Sequence, residues 1–101
     1  METYTVTVDV NGTVRYYKPN TTILHRIDGP AIEYSDGSKY YYVDDKLHRI
    51  DGPAIEYANG TKVYYVDGVY FSEYVFNAQF MNSLNGKIVE IDGKQYRLIE
   101  A

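Results

Sequence analysis

Six side chains of this sequence are typed and spaced for chemistry, and they come as two matched sets. His25, Arg26 and Asp28 stand in the same order as His48, Arg49 and Asp51, 23 residues further on. His25 and His48 are the only histidines in 101 residues. Two such imidazoles could act as general acid and general base, with the two guanidiniums holding a phosphate, as in ribonuclease-type cleavage. Stacked copies would put them one or two strand separations apart, about 5–10 Å. The competing reading is structural: each His and Arg bonds turn carbonyls and the corner aspartate, fixing every bend alike. Repetition favours the second, since a reaction has little use for two equal copies of one motif. Groups tuned for catalysis also collect in clefts more than in ladders. The expectation is a non-enzyme with no catalytic residue. Two histidines and scattered aspartates lack close ligand spacing, so no metal site is expected. No GxGxxG or GxxxxGK[ST] loop and no nucleophile elbow occurs, and no cofactor is expected.

These residues belong to a longer repetition. LHRIDGPAIEY occurs at 24–34 and again, letter for letter, at 47–57. The frame extends from 34–50 to 57–73, and a weaker copy with two extra residues precedes it at 9–27. The chain divides into a degenerate copy over 8–30, copies over 31–53 and 54–71, a helix over 72–84 and a capping hairpin over 87–100, within one domain spanning 1–101. Every one of the eight glycines follows Asn or Asp, the strongest short-range hairpin signal. The segments between are of strand length and rich in Tyr, Val, Ile and Thr. Strands are expected over 3–10, 13–18, 23–27 and 38–43, with LHRI at 47–50 as another. Asp28-Gly29-Pro30 and Asp51-Gly52-Pro53 read as corners, because proline cannot donate to a ladder and restricts the glycine before it. His25 and His48 join them in one structural turn motif. The expected fold is mainly β: an antiparallel meander of stacked 23-residue hairpin repeats, one short C-terminal helix and a closing hairpin. A lone hairpin cannot bury a face, whereas stacked copies bury one another.

Matched positions form columns. Tyr16, Tyr41 and Tyr64 make one, and Tyr17, Tyr42 and Tyr65 make its neighbour on the opposite face. Leu24, Ile27, Ile32, Leu47, Ile50, Ile55, Tyr41, Tyr64, Val43 and Val66 are expected to supply most of the core. Period does not say which tyrosine column faces inward. Beyond Gly68 the rhythm changes: Val75, Phe76, Gln79, Phe80 and Leu84 fall near a 3.6-residue period, with Ser72 as N-cap and Asn85-Gly86 as stop. The apolar stripe is expected to cap the last repeat; alternatively it presents Phe76, Phe80 and Met81 to a partner.

Composition bounds the setting. The formal charge of −4 disfavours bulk attraction to nucleic acid. The absence of cysteine suits a reducing compartment. Neither a signal segment nor a run long enough to span a bilayer is visible, so a soluble chain with no membrane partner is expected. Thirteen tyrosines suit both a half-buried sheet and a recognition surface. Arg15, Arg26, Lys39, Arg49 and Lys62 could align as a basic stripe for a nucleotide, but Glu33 and Glu56 can pair with the lysines across strands.

LHRIDGPAIEY, followed by a turn, an aromatic strand and another LHR, resembles the LHR-x-DGPA repeat proteins of tailed bacteriophages. These are similar in style to MORN repeats. VDGVYFSEYVFNAQ looks like the exit such arrays take into a short helix, and GKIVEIDGKQYRLIE is similar to the tails of small phage proteins. Tyr41 and Tyr64 stand where the phage repeats commonly carry tryptophan. The resemblance covers roughly 8–101 and implies a phage accessory protein acting in the host bacterial cytoplasm. The resulting expectation is a non-enzymatic binder that docks on a bacterial host protein in host takeover or counter-defence, through Tyr17, Tyr42, Tyr65, Arg26 and Arg49. The alternatives are a nucleotide or nucleic-acid binder, and a self-assembling homo-oligomer using exposed sheet edges.

Overall fold

Two kinds of tight turn organise the chain. At Asn11-Gly12, Asp36-Gly37 and Asn59-Gly60 only the glycine takes positive φ, between +85° and +95°. Each such turn closes with bonds like Gly37 N to Tyr34 O and Tyr34 N to Ser38 O, the type I turn with a glycine bulge. At Asp44-Asp45, Asp67-Gly68 and Asp92-Gly93 both residues take positive φ, the mirror-image turn that matches strand twist. Gly29 and Gly52 have no positive φ; their reason for being glycine lies in the site below.

The computed structural model describes residues 3–81 and 88–97. Strands β1 (Thr5–Val8), β2 (Val14–Tyr17), β3 (Ile32–Glu33) and β4 (Lys39–Tyr40) lead into a ribbon of β5 (Tyr42–Val43) and β6 (Lys46–Leu47). Then come β7 (Ile55–Glu56), β8 (Lys62–Val66), β9 (Val69–Phe71) and the hairpin β10 (Ile88–Ile91) with β11 (Lys94–Arg97). Seven of these form one antiparallel sheet in the order β1-β2-β3-β4-β7-β8-β9. The fold is thus mainly antiparallel β with one short helix and a C-terminal hairpin. It is elongated, 55 × 32 × 27 Å, with a radius of gyration of 17.1 Å, against about 13 Å for a compact domain of this length.

Several expected strands are shorter than composition suggested. The run 38–43 divides at Tyr41, whose N–H leaves to Ala54 O at 2.7 Å. Lys39 and Tyr40 stay in the main sheet, while Tyr42 and Val43 enter the ribbon. The LHR segments are clasps more than strands: only a bridge from Tyr17 to Leu24 marks the first. Arg26 N donates to Tyr42 O (3.0 Å), and Leu24 O accepts from Asp45 N (2.8 Å). The same bonds return as Arg49 N to Tyr65 O (3.1 Å) and Gly68 N to Leu47 O (2.8 Å). Each copy therefore holds the ribbon of the following one.

The core is narrower than the apolar letters imply. Ala31, Ile32, Ala54, Ile55, Tyr64 and Phe76 are its buried hydrophobic members among the described residues. Ile32, Ile55 and Tyr64 were expected there; Leu24, Tyr41, Val43, Leu47 and Val66 are half-buried. Ile27 and Ile50 are not core at all, being 59% and 54% exposed. They sit on the corner, where the backbone turns outward. Ala31 and Ala54 were missed. Ala31 lies between two strands, its O accepting from Tyr16 N and its N–H going to Tyr40 O, and a methyl side chain permits close cover there.

The helix begins as expected. Ser72 caps α1 (Glu73–Phe76), its Oγ accepting from Val75 N at 3.3 Å. From Asn77 to Met81 the winding widens to a π-helical turn. Phe76 is fully buried, with its ring 4.7 Å from Tyr64 and 5.2 Å from Phe80, and Phe80 also meets Phe71 at 5.5 Å. Phe76 is thus spent on the last repeat. Val75, expected on the inward stripe, is exposed. Residues 82–84 and the Asn85-Gly86 stop lie outside the described residues.

Candidate docking groove at the repeat corners

Each corner is organised by its arginine. Arg26 lies over the Tyr16 ring, 3.9 Å from its centroid, and Arg49 over Tyr41 at 4.1 Å. Nε of Arg26 donates to Asp28 Oδ1 (3.0 Å), while Nη1 donates to Pro30 O (3.2 Å) and Glu33 Oε1 (3.1 Å). Arg49 repeats the set with Asp51 (3.0 Å), Pro53 O (3.1 Å) and Glu56 (3.0 Å). These contacts account for the Arg, Asp, Gly and Glu that recur in HRIDGPAIE. The arginine needs an aromatic platform, an acid two residues on, a carbonyl four on and an acid seven on. It also needs room: a Cβ on Gly29 or Gly52 would stand 2.9 Å from the guanidinium carbon. Glycine is there for space.

The histidines serve the other side of the clasp. Nδ1 of His25 accepts the Asp44 N–H (3.1 Å), and Nδ1 of His48 accepts the Asp67 N–H (3.0 Å). A ring accepting at Nδ1 carries its neutral-form proton on Nε2. The direction differs from the expected one, in which histidine bonds turn carbonyls and the corner aspartate. The bonded group is an N–H of the next copy's mirror-image turn. Glu33 and Glu56 also differ from expectation. Their Cα register faces Lys39 and Lys62, but their carboxylates reach the arginines instead.

Electrostatics follows these contacts. The Arg26 guanidinium holds the Asp28 carboxyl below the usual carboxylate range, and Lys18 does the same for Asp44. Burial raises the Tyr41, Tyr42 and Tyr64 hydroxyls. Burial and the Tyr57 hydroxyl push Tyr40 up to about 12.

Between the two corners lies an open groove of about 570 Å³. Arg26 to Gly29 form one wall and His48 to Asp51 the other, with Tyr41 and Val43 between them. Its exposed apolar side chains are Ile27 and Ile50, and its charges are the two Arg–Asp pairs. Of the residues expected to bind a partner, Arg26 and Arg49 border this groove, with their guanidiniums turned inward onto the corner. Tyr17, Tyr42 and Tyr65 do not line it and are half-buried. Tyr65 is closed off in part by Tyr70, edge-to-face at 5.8 Å. The more exposed rings are Tyr57, Tyr70 and Tyr74. Sequence reasoning passed over Ile27 and Ile50 as surface because both are large and aliphatic. Their neighbours, Arg on one side and Asp on the other, were the available signal.

No cluster of three potential metal ligands occurs among the described residues, nor any helix long and apolar enough to cross a membrane. Compared with known proteins, the chain matches no family model, and no similar curated protein or solved structure was found.

Proposed function

We propose that this chain is a non-enzymatic binding module, phage-encoded, that docks on a bacterial host protein in the host cytoplasm and modulates or blocks it. The reading rests on one observation. The repeated polar groups that could do chemistry are engaged inside the corners, while the aliphatic side chains beside them, Ile27 and Ile50, face solvent across one groove. A residue pair that is apolar, exposed and rimmed by paired charge suits a protein partner. The resemblance to phage repeat proteins supplies the host setting. The test is an affinity capture from bacterial lysate with the wild-type chain and an Ile27→Asp/Ile50→Asp variant side by side. The expected result is one stoichiometric host protein with the wild type, lost with the variant, and a binding constant measured on the purified pair that weakens at least tenfold. Equal capture by both chains, or none by the wild type, overturns the proposal.

A further inference from the structure

The sheet ends on β1 with an open edge. Tyr16 spends both backbone groups away from β1: its N–H goes to Ala31 O (2.8 Å) and its carbonyl accepts from His25 N (3.0 Å). Tyr16 is the Cα partner of Val6, so Val6 and Tyr16 form a non-hydrogen-bonded pair. By alternation Val8, opposite Val14, is another. The N–H and C=O groups of Val6 and Val8 therefore point outward, and no described strand pairs with them. Their side chains are 49% and 67% exposed.

In the repeat frame Val6 occupies the place of Ala31 and Ala54. At those two positions a neighbouring strand covers the same edge: Ala31 and Ala54 are 0% exposed, and their carbonyls accept from Tyr16 and Tyr41. The edge of β1 has the same design, with no neighbouring strand among the described residues. It also lacks the usual guards, since Thr3 to Val8 contain no charge and no proline.

We infer that β1 is a homotypic docking edge, on which a second copy of this chain adds its own β1 in antiparallel register centred on Val6. Outward-facing residues must meet outward-facing residues, and of the registers that allow this the one centred on Val6 overlaps the whole uncharged 3–8 stretch, pairing Val6 with its counterpart and Tyr4 with Val8. Asp9 then falls opposite Thr3, and no like charges oppose across the seam. A partner peptide would gain the same backbone bonds, but only the second copy is assured this uncharged, self-complementary match. A seam of this length buries less than the roughly 1,000 Å² of a stable interface, so the dimer is weak and concentration-dependent. With each copy at −4, salt strengthens it by screening.

Sedimentation velocity on the full chain, from about 20 µM to 2 mM, tests this. The expected average mass rises from 11.7 kDa toward twice that value, and rises further at higher salt. Val8→Lys places charge on the seam, and Val6→Pro deletes an outward donor without touching the β1–β2 ladder. Each weakens dimerisation at least tenfold while circular dichroism stays native. The chain has no cysteine, so Val6→Cys reads the register: its Cα would lie about 5.5 Å from its counterpart, within disulfide range. It should cross-link at least tenfold faster than Val69→Cys on the opposite edge. A monomer throughout the range, a folded variant that dimerises like wild type, or equal cross-linking at both edges overturns the inference.

Discussion

Gly52→Ala, made alone and together with Arg49→Ala, tests how the corner works. Gly52 has no positive φ, so alanine brings no positive-φ strain of its own; its methyl carbon would crowd the Arg49 guanidinium carbon at 2.9 Å. The arginine must then leave its position over Tyr41 and loosen its bonds to Pro53 O and Glu56. The stacking contributes about 0.5–1 kcal/mol, and the two bonds near a partly exposed carboxylate add about 1 kcal/mol between them. The Asp51 contact adds little, since that side chain is 81% exposed. Arg49→Ala should therefore cost about 2 kcal/mol, and Gly52→Ala about 1–2 kcal/mol. With Arg49 truncated its three close contacts with the new methyl are gone, and Gly52→Ala should be neutral or stabilise by up to about 1 kcal/mol through the unfolded chain. The coupling between the two sites is then about 2 kcal/mol. Urea unfolding followed by circular dichroism measures all four corners of the cycle, with Tm moving about 4–8 °C per kcal/mol. If Gly52→Ala costs the same with and without Arg49, the glycine is not there to make room, and the account of the repeated motif fails.

Other outcomes follow from the same contacts. His25→Ala removes the acceptor of the Asp44 N–H from a buried ring and should cost about 2 kcal/mol, against about 1 for the more exposed His48; urea titrations of the two variants should rank them in that order. Phe76→Ala empties the fully buried contact between α1 and Tyr64 and should cost at least about 3 kcal/mol, seen as a large loss of Tm. Toward acid, the lowered carboxyls of Asp28 and Asp44 contribute stability that is present above their unfolded value near 3.8 and lost as pH falls through the lower folded values. Unfolding midpoints should hold down to about pH 4 and decline below it, less so in Asp28→Asn. Toward alkali, Tyr40 ionises at about 12 in the fold and at 10 in the unfolded chain; its contribution is intact below 10 and disappears between 10 and 12, and Tyr40→Phe should flatten that part of the profile.

The sequence by itself determined the turns, the repeat frame and the β class. Asn-Gly, Asp-Gly and Asp-Gly-Pro chemistry acts over a few residues, and two identical eleven-residue segments carry the same local preferences. It also marked Ser72 as a cap, which is local for the same reason. Faces and depth were a different matter. Alternation places Tyr16, Tyr41 and Tyr64 opposite Tyr17, Tyr42 and Tyr65, but it assigns no sign to either side. Only the arrival of Arg26, Arg49 and Phe76 over the first column did so. The LHR segments look like strands by composition, yet they bond across to the next copy's ribbon and release Ile27 and Ile50 to solvent. Ala31 and Ala54, small enough to be overlooked, became core because strands close on both sides of them. Burial is decided by what covers a residue, and cover comes from parts of the chain far away in sequence.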